Sequence, residues 1–176
     1  VATCINTMLL PPDATVSFDA LVPGRALAAT VTHNSTFLHH LNLHNENLQP
    51  HETKAVCNWL AAKSRLAAEQ PHLHAVLATG DWNFEADGKS STSMKNLSAV
   101  ALQHSASNAG ALVRALSLFT ELSSFEDTHF NKAELATSNL DRTFVCCPAS
   151  LLLNVKKNVT VLDDPTALHA ARISDH

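Results

Sequence analysis

The sequence predicts an α+β fold in which helices cover a mixed β-sheet, and three local patterns support this prediction. Two β-leaning runs, Arg25–His33 and Thr36–His44, are separated by a turn-like Asn-Ser pair. The apolar residues of His51–Glu69 recur mostly on one face of a helix. Residues 74–79 form a short apolar run that ends at Gly80, as expected of a buried strand leading to a loop.

The individual elements follow from these patterns in chain order. The two β-leaning runs are expected to pair as an antiparallel hairpin, because two turn-forming residues join them. The first helix is expected to end before Pro71, since the residue before a proline avoids helical geometry. A second helix is predicted at Asn108–Leu122, and further strands at Leu140–Cys147 and Asn158–Leu162.

Composition indicates one globular domain spanning residues 1–176. The length suits one core rather than two, and 45% hydrophobic with 16% charged residues excludes a disordered chain. No run approaches the ~18 apolar residues of a membrane span, and no signal peptide is visible, so an intracellular location is favoured. Four cysteines without paired spacing argue against a disulfide framework or a structural zinc site.

The net charge of −4 disfavours a module that coats nucleic-acid phosphates without sequence preference. A local basic patch can override the net charge. The candidate residues for such a patch are Arg25, Lys54, Lys63 and Arg65.

Polar residues that can do chemistry collect where the predicted strands end. Active sites of layered sheet proteins form at such ends, because the sheet fixes positions there while substrate can enter. Four segments share this property: Leu41–Asn45 (LNLHN), Gly80–Asn83 (GDWN), Leu140–Val145 (LDRTFV) and Ser174–His176 (SDH).

Each segment alone also has a simpler interpretation. Asp81 and Asn83 are two residues apart and can reach one cation or phosphate, but Asp-x-Asn after glycine is commonly an Asx turn. His44 is more often structural, and Asp141 with its arginine neighbour suits an ion pair or a cross-strand contact. The pair Asp175–His176 also suits a solvated chain terminus.

Taken in order, the four segments resemble the motifs of the endonuclease/exonuclease/phosphatase superfamily, the deoxyribonuclease-I-like fold. Its members show an Asn-x-His or Asn-x-Tyr element, Gly-Asp-Phe-Asn, an Ile-Asp-Tyr/Arg-Ile strand and Ser-Asp-His. The counterparts here are Asn42–His44, Gly80–Asn83, Leu140–Phe144 and Ser174–His176. The resemblance covers residues 20 to 176, and Pro23–Leu27 is similar to the family's entry into its central strands.

The resemblance implies two packed mixed β-sheets flanked by helices, a four-layer α/β/β/α sandwich. It also implies hydrolysis of a phosphoester with Mg²⁺ or Mn²⁺, most simply by a nuclease-type phosphodiesterase such as a mobile-element endonuclease. The expected partner is nucleic acid or another phosphoester substrate. The sequence does not choose among DNA, RNA, phosphoinositide and other phosphoesters, and it leaves the oligomeric state open.

Residue roles carry over one by one from the resemblance. His176 is the implied general base, and Asp175 assists it or the metal. Asp81 is implied to position the attacking water or a second metal, and Asn83 to hold the scissile phosphate. The implied metal ligands are Asp81, Asn83 and Asp175.

The remaining two roles fall on the other strand ends. His44 is implied to act on the phosphate or the leaving group, and Asp141 to orient His44. The tyrosine that many members of the family use near the phosphate is absent, since the chain contains no tyrosine.

The sequence departs from the family upstream of these motifs. Members of the family carry an Asn on the first strand and a metal-binding Glu on the second, whereas the first glutamate here is Glu46. We therefore expect a partial domain, incomplete at the N-terminus, with activity near background. An uncovered sheet edge and apolar face are also expected, with four candidate exposed residues: Leu9, Leu10, Val16 and Phe18.

Two alternatives from other classes remain at this point. The first is a non-catalytic remnant that binds a protein or a phosphorylated ligand through the same groove. The second is a histidine-based metal site, although no carboxylate or further histidine has ligand-like spacing. Its candidate residues are His39, His40, His44, His72 and His74.

Overall fold

The computed structural model describes residues 1–84, 91–100, 108–122, 127–148 and Thr166. Within these residues the chain forms two β-sheets and two α-helices, which confirms the predicted α+β class. The predicted strand Asn158–Leu162 and the segment Ser174–His176 lie outside the described residues. Neither of the two described helices combines the length and the hydropathy that a membrane-spanning helix needs.

The larger sheet has six strands in the order β1-β2-β3-β4-β10-β7. All neighbours in this sheet are antiparallel except β3 and β4, which are parallel. The sheet is therefore mixed, as predicted. Its strands are β1 (Thr15–Val22), β2 (Ala26–His33), β3 (Thr36–His44), β4 (His74–Asp81), β7 (Thr120–Glu121) and β10 (Asp141–Cys146).

The smaller sheet is antiparallel and has four short strands in the order β6-β5-β9-β8. These strands hold two or three residues each, so this sheet contributes little hydrogen-bonded length. They are β5 (Ser91–Ser93), β6 (Ala99–Val100), β8 (His129–Asn131) and β9 (Ala136–Ser138).

Two tight hairpin turns build the first half of the larger sheet. Pro23 and Gly24 join β1 to β2, and Gly24 has a φ of +74°, as the third residue of a type II turn requires. Asn34 (φ 47°) and Ser35 (φ 62°) join β2 to β3 with both central residues left-handed, as in a type I′ turn. The predicted hairpin between the two β-leaning runs is confirmed.

Helix α1 (Pro50–Glu69) makes the crossover that lets β3 and β4 lie parallel. It begins with a proline at its first turn, and the Gln49 N–H donates to the Glu52 carboxylate over 2.7 Å. Val56 and Leu60 are fully buried against the sheet. The predicted first helix is confirmed almost to the residue.

Helix α2 (Ala109–Ala115) is shorter than the predicted helix at Asn108–Leu122. Residues 116–118 form a turn, and Thr120–Glu121 becomes strand β7 by pairing with β10. The prediction was wrong at its C-terminal half because Leu116 and Phe119 continue the apolar spacing after the helix has ended. Backbone hydrogen bonds between residues 120–121 and β10, a strand more than twenty residues further along the chain, form in place of further helix.

The core lies between the larger sheet and α1. Leu41, Leu43 and Trp82 are completely buried there, and the Trp82 indole packs edge-on against Phe144 with ring centroids 4.8 Å apart. The Trp82 Nε1–H donates to the Arg142 carbonyl over 3.0 Å, which satisfies the one polar atom of the ring. Trp82 therefore locks the segment after β4 to strand β10.

Strand β1 forms an edge of the larger sheet in the described part of the chain, with β2 as its neighbour there. Phe18, in its middle, is 55% exposed, and Leu9 before the strand is 81% exposed. Leu10 and Val16 are half-buried. The expectation of exposed apolar residues at this edge therefore fits Phe18 and Leu9.

Candidate functional site

One histidine and two aspartate side chains form a row across the end of the larger sheet. The β-ladder places His44 of β3 opposite Asp81 of β4, and Asp81 opposite Asp141 of β10. Residues directly opposite each other on neighbouring strands project to the same face. The row His44–Asp81–Asp141 therefore lies on one face at one end of three adjacent strands, with Asp81 in the middle.

Asp81 is the carboxylate next to His44. The His44 Nε2 atom lies 3.6 Å from Asp81 Oδ2, and Asp81 is 13% exposed while His44 is 37% exposed. The site is thus open to solvent at the histidine and more enclosed at the aspartate. The register puts Asp141 on the far side of Asp81 from His44.

Arg25 and Glu46 complete the surroundings of His44, and neither was predicted as a site residue. The Arg25 Nη1 atom lies 3.3 Å from His44 Nδ1 and donates to Glu46 Oε2 over 3.0 Å. Glu46 Oε2 is also 3.6 Å from His44 Nε2. The hydrogen bond from Arg25, together with its charge and that of His44, lowers the pKa of Glu46, against a smaller effect of desolvation.

Asp81 and Asn83 are brought together by a local turn. The Asn83 backbone N–H donates to Asp81 Oδ1 over 2.9 Å, and Asn83 has a φ of 54°. This is the Asx hydrogen bond that the simpler interpretation of the segment expects. The two oxygens of Asp81 thus have different surroundings, since Oδ1 accepts from the backbone and Oδ2 faces His44.

Asn45 holds the loops behind this row together. It is buried, its amide donates to the Trp82 carbonyl over 2.7 Å, and its backbone N–H donates to the Asp81 carbonyl over 2.8 Å. Its side chain also exchanges hydrogen bonds with Asn108, which in turn donates to Thr53 on α1. No local sequence signal identifies this network, because its members are up to 63 residues apart.

Arg142 has a structural position on the opposite face of β10 from Asp141. Its guanidinium makes a bidentate pair with Glu121 at 2.8 and 2.9 Å and lies over the rings of Phe84 and Phe144. Arg142 is buried. The arginine of the LDRTFV segment therefore supports the strand and takes no part in the row.

Oxygen donors at this end of the sheet are of the type that Mg²⁺ or Mn²⁺ prefers. Asp81 and Asp141 supply two carboxylates, and Mg²⁺ is commonly held by one or two carboxylates together with substrate phosphates. Among residues 1–84, 91–100, 108–122 and 127–148, no three His, Cys, Asp or Glu side chains form a metal-binding group. The described donors thus fit Mg²⁺ in kind but hold it only with help from further ligands.

The histidines considered for a separate metal site have other contacts. His39 Nε2 lies 3.1 Å from His74 Nδ1, and its Nδ1 lies 3.0 Å from the Thr30 hydroxyl. The rings of His39 and His74 stack with centroids 5.4 Å apart. His40 contacts the Thr79 hydroxyl at 2.8 Å, so these histidines serve packing and hydrogen bonding in the described structure.

The remaining predicted site residues, Asp175 and His176, lie outside the described part of the chain. Of the predicted set, the structure brings together His44, Asp81, Asn83 and Asp141 at one end of the larger sheet. No site role was predicted for Arg25, Glu46 or Asn45, although Arg25 was a candidate for a basic patch and Asn45 ends the LNLHN segment. Glu46 and Asn45 directly follow the strand-end histidine, which is the one local signal they carry.

Comparison with solved structures identifies similar folds. The 3′ phosphatase NExo from Neisseria, bound to a product DNA hairpin, is 20% identical with a TM-score of 0.50, covering 95% of this chain and 68% of that chain. The endonuclease domain of TRAS1, a telomere-specific non-LTR retrotransposon, is 16% identical with a TM-score of 0.45, covering 80% and 56%. An endonuclease/exonuclease/phosphatase family protein from Leptotrichia buccalis is 14% identical with a TM-score of 0.37, covering 68% and 40%.

These comparisons concern the fold. Neither a protein-family model nor a curated protein sequence matches the chain. The chain spans about half of the length of the TRAS1 domain. The likeness to NExo extends over nearly the whole chain and shows a shared fold.

Proposed function

Because the chain has the deoxyribonuclease-I-like fold of the endonuclease/exonuclease/phosphatase structures, we propose that it is a phosphoester hydrolase domain of the nuclease type. The observation that carries the proposal is the row His44–Asp81–Asp141 at the end of three adjacent strands. An acid, a base and oxygen ligands must lie within a few Å of one phosphate for such a reaction, and this row supplies residue types of that kind.

The proposed reaction is in-line attack of water on a phosphodiester. His176 takes a proton from the attacking water as the water oxygen bonds to phosphorus and the P–O bond to the leaving oxygen breaks. The leaving oxygen then takes up a proton from solvent water, and Asp175 supports the base. Asp81 orients the water, and Asn83 donates to a non-bridging phosphate oxygen. Asp81, Asn83 and Asp175 would hold a Mg²⁺ or Mn²⁺ ion, which would neutralise the charge that builds on the phosphate.

His44 and Asp141 act at the two ends of the row. His44 is exposed enough to contact a phosphate or a leaving oxygen, and its Nε2 side is turned toward Asp81. Asp141 has its backbone N–H bonded to the Thr128 hydroxyl over 2.9 Å, which fixes the start of β10 beside Asp81. Both residues thereby hold the surroundings of Asp81 rigid, as an active site requires.

DNA is the proposed substrate. NExo, the structure with the same fold, is bound to a DNA product. The net charge of −4 works against general affinity for a polyanion, so binding depends on cations near the site. Arg25 is such a cation, since its guanidinium lies beside His44.

A non-catalytic binding remnant is the second candidate. Such a remnant binds single-stranded or duplex DNA at the row without cleaving it.

The test measures cleavage by the 176-residue chain. We expect hydrolysis of bis(p-nitrophenyl) phosphate and nicking of a plasmid close to background, with the metal-dependent part lost with EDTA and restored by Mg²⁺ or Mn²⁺. Asp81→Asn removes a charge at the water site, and His44→Ala removes the imidazole, so each is expected to abolish that metal-dependent part.

Matched controls come from exposed residues far from the row. Asp19→Asn on β1 and His51→Ala on α1 make the same chemical changes at exposed positions and are expected to leave the rate unchanged. Metal-independent hydrolysis that survives both site substitutions would refute the assigned site. Binding of a fluorescent DNA oligonucleotide without any cleavage would favour the remnant.

A further inference from the structure

We propose that Arg25 is a positioning residue that fixes the tautomer of His44 and so directs an N–H group of the imidazole at Asp81. The role assigned to this imidazole rests on the proposed hydrolase function, whereas the tautomer itself follows from contacts in the structure. Three charged groups surround the ring: Arg25, Glu46 and Asp81.

The first step of the argument concerns the Nδ1 atom. Arg25 Nη1 lies 3.3 Å from it. A guanidinium has five N–H donors, no acceptor, and does not lose its proton in proteins. Nδ1 of the neutral ring therefore accepts in this contact, and the proton of the ring resides on Nε2.

The second step concerns the opposite nitrogen and is independent of the first. Nε2 lies 3.6 Å from Glu46 Oε2 and 3.6 Å from Asp81 Oδ2. Both neighbours carry negative charge, so a lone pair at Nε2 would be repelled while an N–H is attracted. The contacts at both nitrogens thus select the same tautomer.

The third step explains how Arg25 is held for this task. It donates to Glu46 Oε2 over 3.0 Å from the same Nη1 atom that faces His44. Its backbone is fixed as well, because the Arg25 N–H donates to Val22 across the β1–β2 turn and its carbonyl accepts from the His44 N–H over 2.8 Å. Arg25 is thus tied to His44 by main chain and by side chain.

The consequence is a division of roles in the row. His44 presents a donor to the Asp81 oxygen that faces away from the Asx turn, and it offers no basic lone pair to that side. His44 therefore orients Asp81, and proton acceptance from water belongs to another group. Without Arg25, the ring loses its contact at Nδ1 and keeps only the attraction of Nε2 to two carboxylates 3.6 Å away, so the preference for the Nε2–H tautomer weakens.

The direct test is NMR of the whole 176-residue chain labelled with ¹⁵N. Long-range ¹H–¹⁵N spectra at pH 8.5, above the ordinary histidine pKa of about 6.5, report which ring nitrogen carries the proton. We expect His44 to show protonated Nε2 and unprotonated Nδ1, with its signals assigned by their loss in His44→Ala. Arg25→Ala is expected to give a mixture of tautomers, and Arg25→Lys, which keeps a cationic donor, to restore the single form.

The control variant is Arg114→Ala, which removes an exposed arginine on α2 and is expected to leave the His44 signals unchanged. A protonated Nδ1 in the unmodified chain, or the same tautomer population in Arg25→Ala, would overturn the proposal. Circular dichroism confirms that each variant is folded before its spectrum is interpreted.

Kinetics separate this proposal from the proposed function. If the chain hydrolyses bis(p-nitrophenyl) phosphate, a small diester without the repeated charge of DNA, Arg25→Ala is expected to lower kcat on the order of 10-fold with little change in KM, as is typical when a partner of an active residue is removed. An unchanged kcat in that variant would overturn the positioning role. A chain that has the expected His44 tautomer but no hydrolase activity would contradict the proposed function. It would still support the proposal that Arg25 fixes this tautomer.

Discussion

Gly80, in the GDWN segment of the site, occupies a position where the backbone conformation and the neighbouring strand leave no room for a side chain. Its φ is +129°, and the Cβ atom of any other residue would collide with the Leu43 carbonyl group. Both the conformation and the space exclude a side chain. The glycine of the GDWN segment is therefore required by the parallel pairing of β3 and β4, whatever chemistry the neighbouring aspartate performs.

Gly80→Ala is expected to lower the free energy of unfolding by about 3 kcal/mol or more, because a backbone atom that cannot rotate away meets the new methyl group. Urea denaturation followed by circular dichroism measures this loss. Gly24→Ala is the matched control: its φ is +74° but nothing lies within 4 Å of the new atom, so only the strain of about 1 kcal/mol applies. Equal losses in the two variants would show that the contact with Leu43 relaxes.

His39 predicts how stability changes with pH. Burial, then the charge of Lys63 and that of His74, lower the pKa of His39 in the folded protein to about 4, and the residue is 3% exposed. The unfolded state, with an ordinary pKa of 6.5, takes up the proton first. Stability is therefore fully present above about pH 6.5 and falls as the pH drops from there toward 4.

The expected loss from this residue between pH 7 and pH 5 is about 2 kcal/mol in the free energy of unfolding. Urea titrations at the two pH values measure it. His39→Gln is expected to reduce the loss by that amount, and His51→Gln, an exposed histidine on α1, is expected not to. The prediction would be contradicted if the free energy of unfolding fell by the same amount between pH 7 and pH 5 in the unmodified chain and in His39→Gln.

Sequence reasoning reached part of the site at the scale of residues. His44 and Asp81 end the apolar runs of β3 and β4, whereas Asp141 begins β10, and the antiparallel pairing of β10 with β4 places that beginning beside Asp81. Arg25 was considered only as a member of a basic patch. Its contact with His44 follows from the β2–β3 hairpin, which the sequence predicted, but the side-chain contact across that hairpin was not inferred.

Helices and strands whose ends and apolar faces are marked in their own sequence were predicted well. Helix α1 has a proline at its start, an acidic first turn and a periodic apolar face, and the β2–β3 hairpin has its two-residue turn. Helix α2 lacks an acidic first turn and has no glycine at its C-terminal end. Its end is set by β10, which recruits residues 120–121 into the sheet, so the sequence of the segment alone misplaces it.

Strand β1 is the element for which we predict aggregation. In the described part of the chain its outer edge has no strand partner, and Phe18 is 55% exposed. Phe18→Lys is expected to suppress concentration-dependent light scattering, because a charge in an edge strand opposes strand pairing between molecules. The free energy of unfolding is expected to change by roughly 0.5 kcal/mol or less.

Val22→Lys, in the same strand, is the matched control. Val22 is buried, so the lysine is expected to destabilise the fold and to increase scattering rather than suppress it. A chain that unfolds cooperatively as a clean monomer at high concentration, with no difference between Phe18→Lys and the unmodified protein, would contradict the role of this edge.

At the scale of the whole molecule, the packing of the helices on one face of the larger sheet determines which face carries the site. Helix α1 packs against β1, β4 and β10 and also contacts α2, so the described helices cover the face of the larger sheet that carries Leu41, Leu43 and Phe144. The row His44–Asp81–Asp141 alternates with these buried residues and so projects from the other face. Core and site thus occupy opposite faces of the same three strands.

The class of fold was predictable from the sequence, but the strand order was not. Hairpins and a crossover helix fix β1 to β4 as neighbours through short connections. The insertion of β10 beside β4 pairs residues that are far apart in the chain, and hydrophobic patterning does not choose between the two edges of an open sheet.

The position of β10 also has a consequence for how the chain is made. Sixty residues separate Asp81 from its partner Asp141, so β4 is complete long before the strand that covers its second edge has been translated. At about 5–20 residues per second, this interval lasts about 3 to 12 s on a ribosome. During it the nascent chain presents a strand edge with unpaired N–H and C=O groups, which can pair with another chain, and this exposure ends when residues 141–146 emerge and pair.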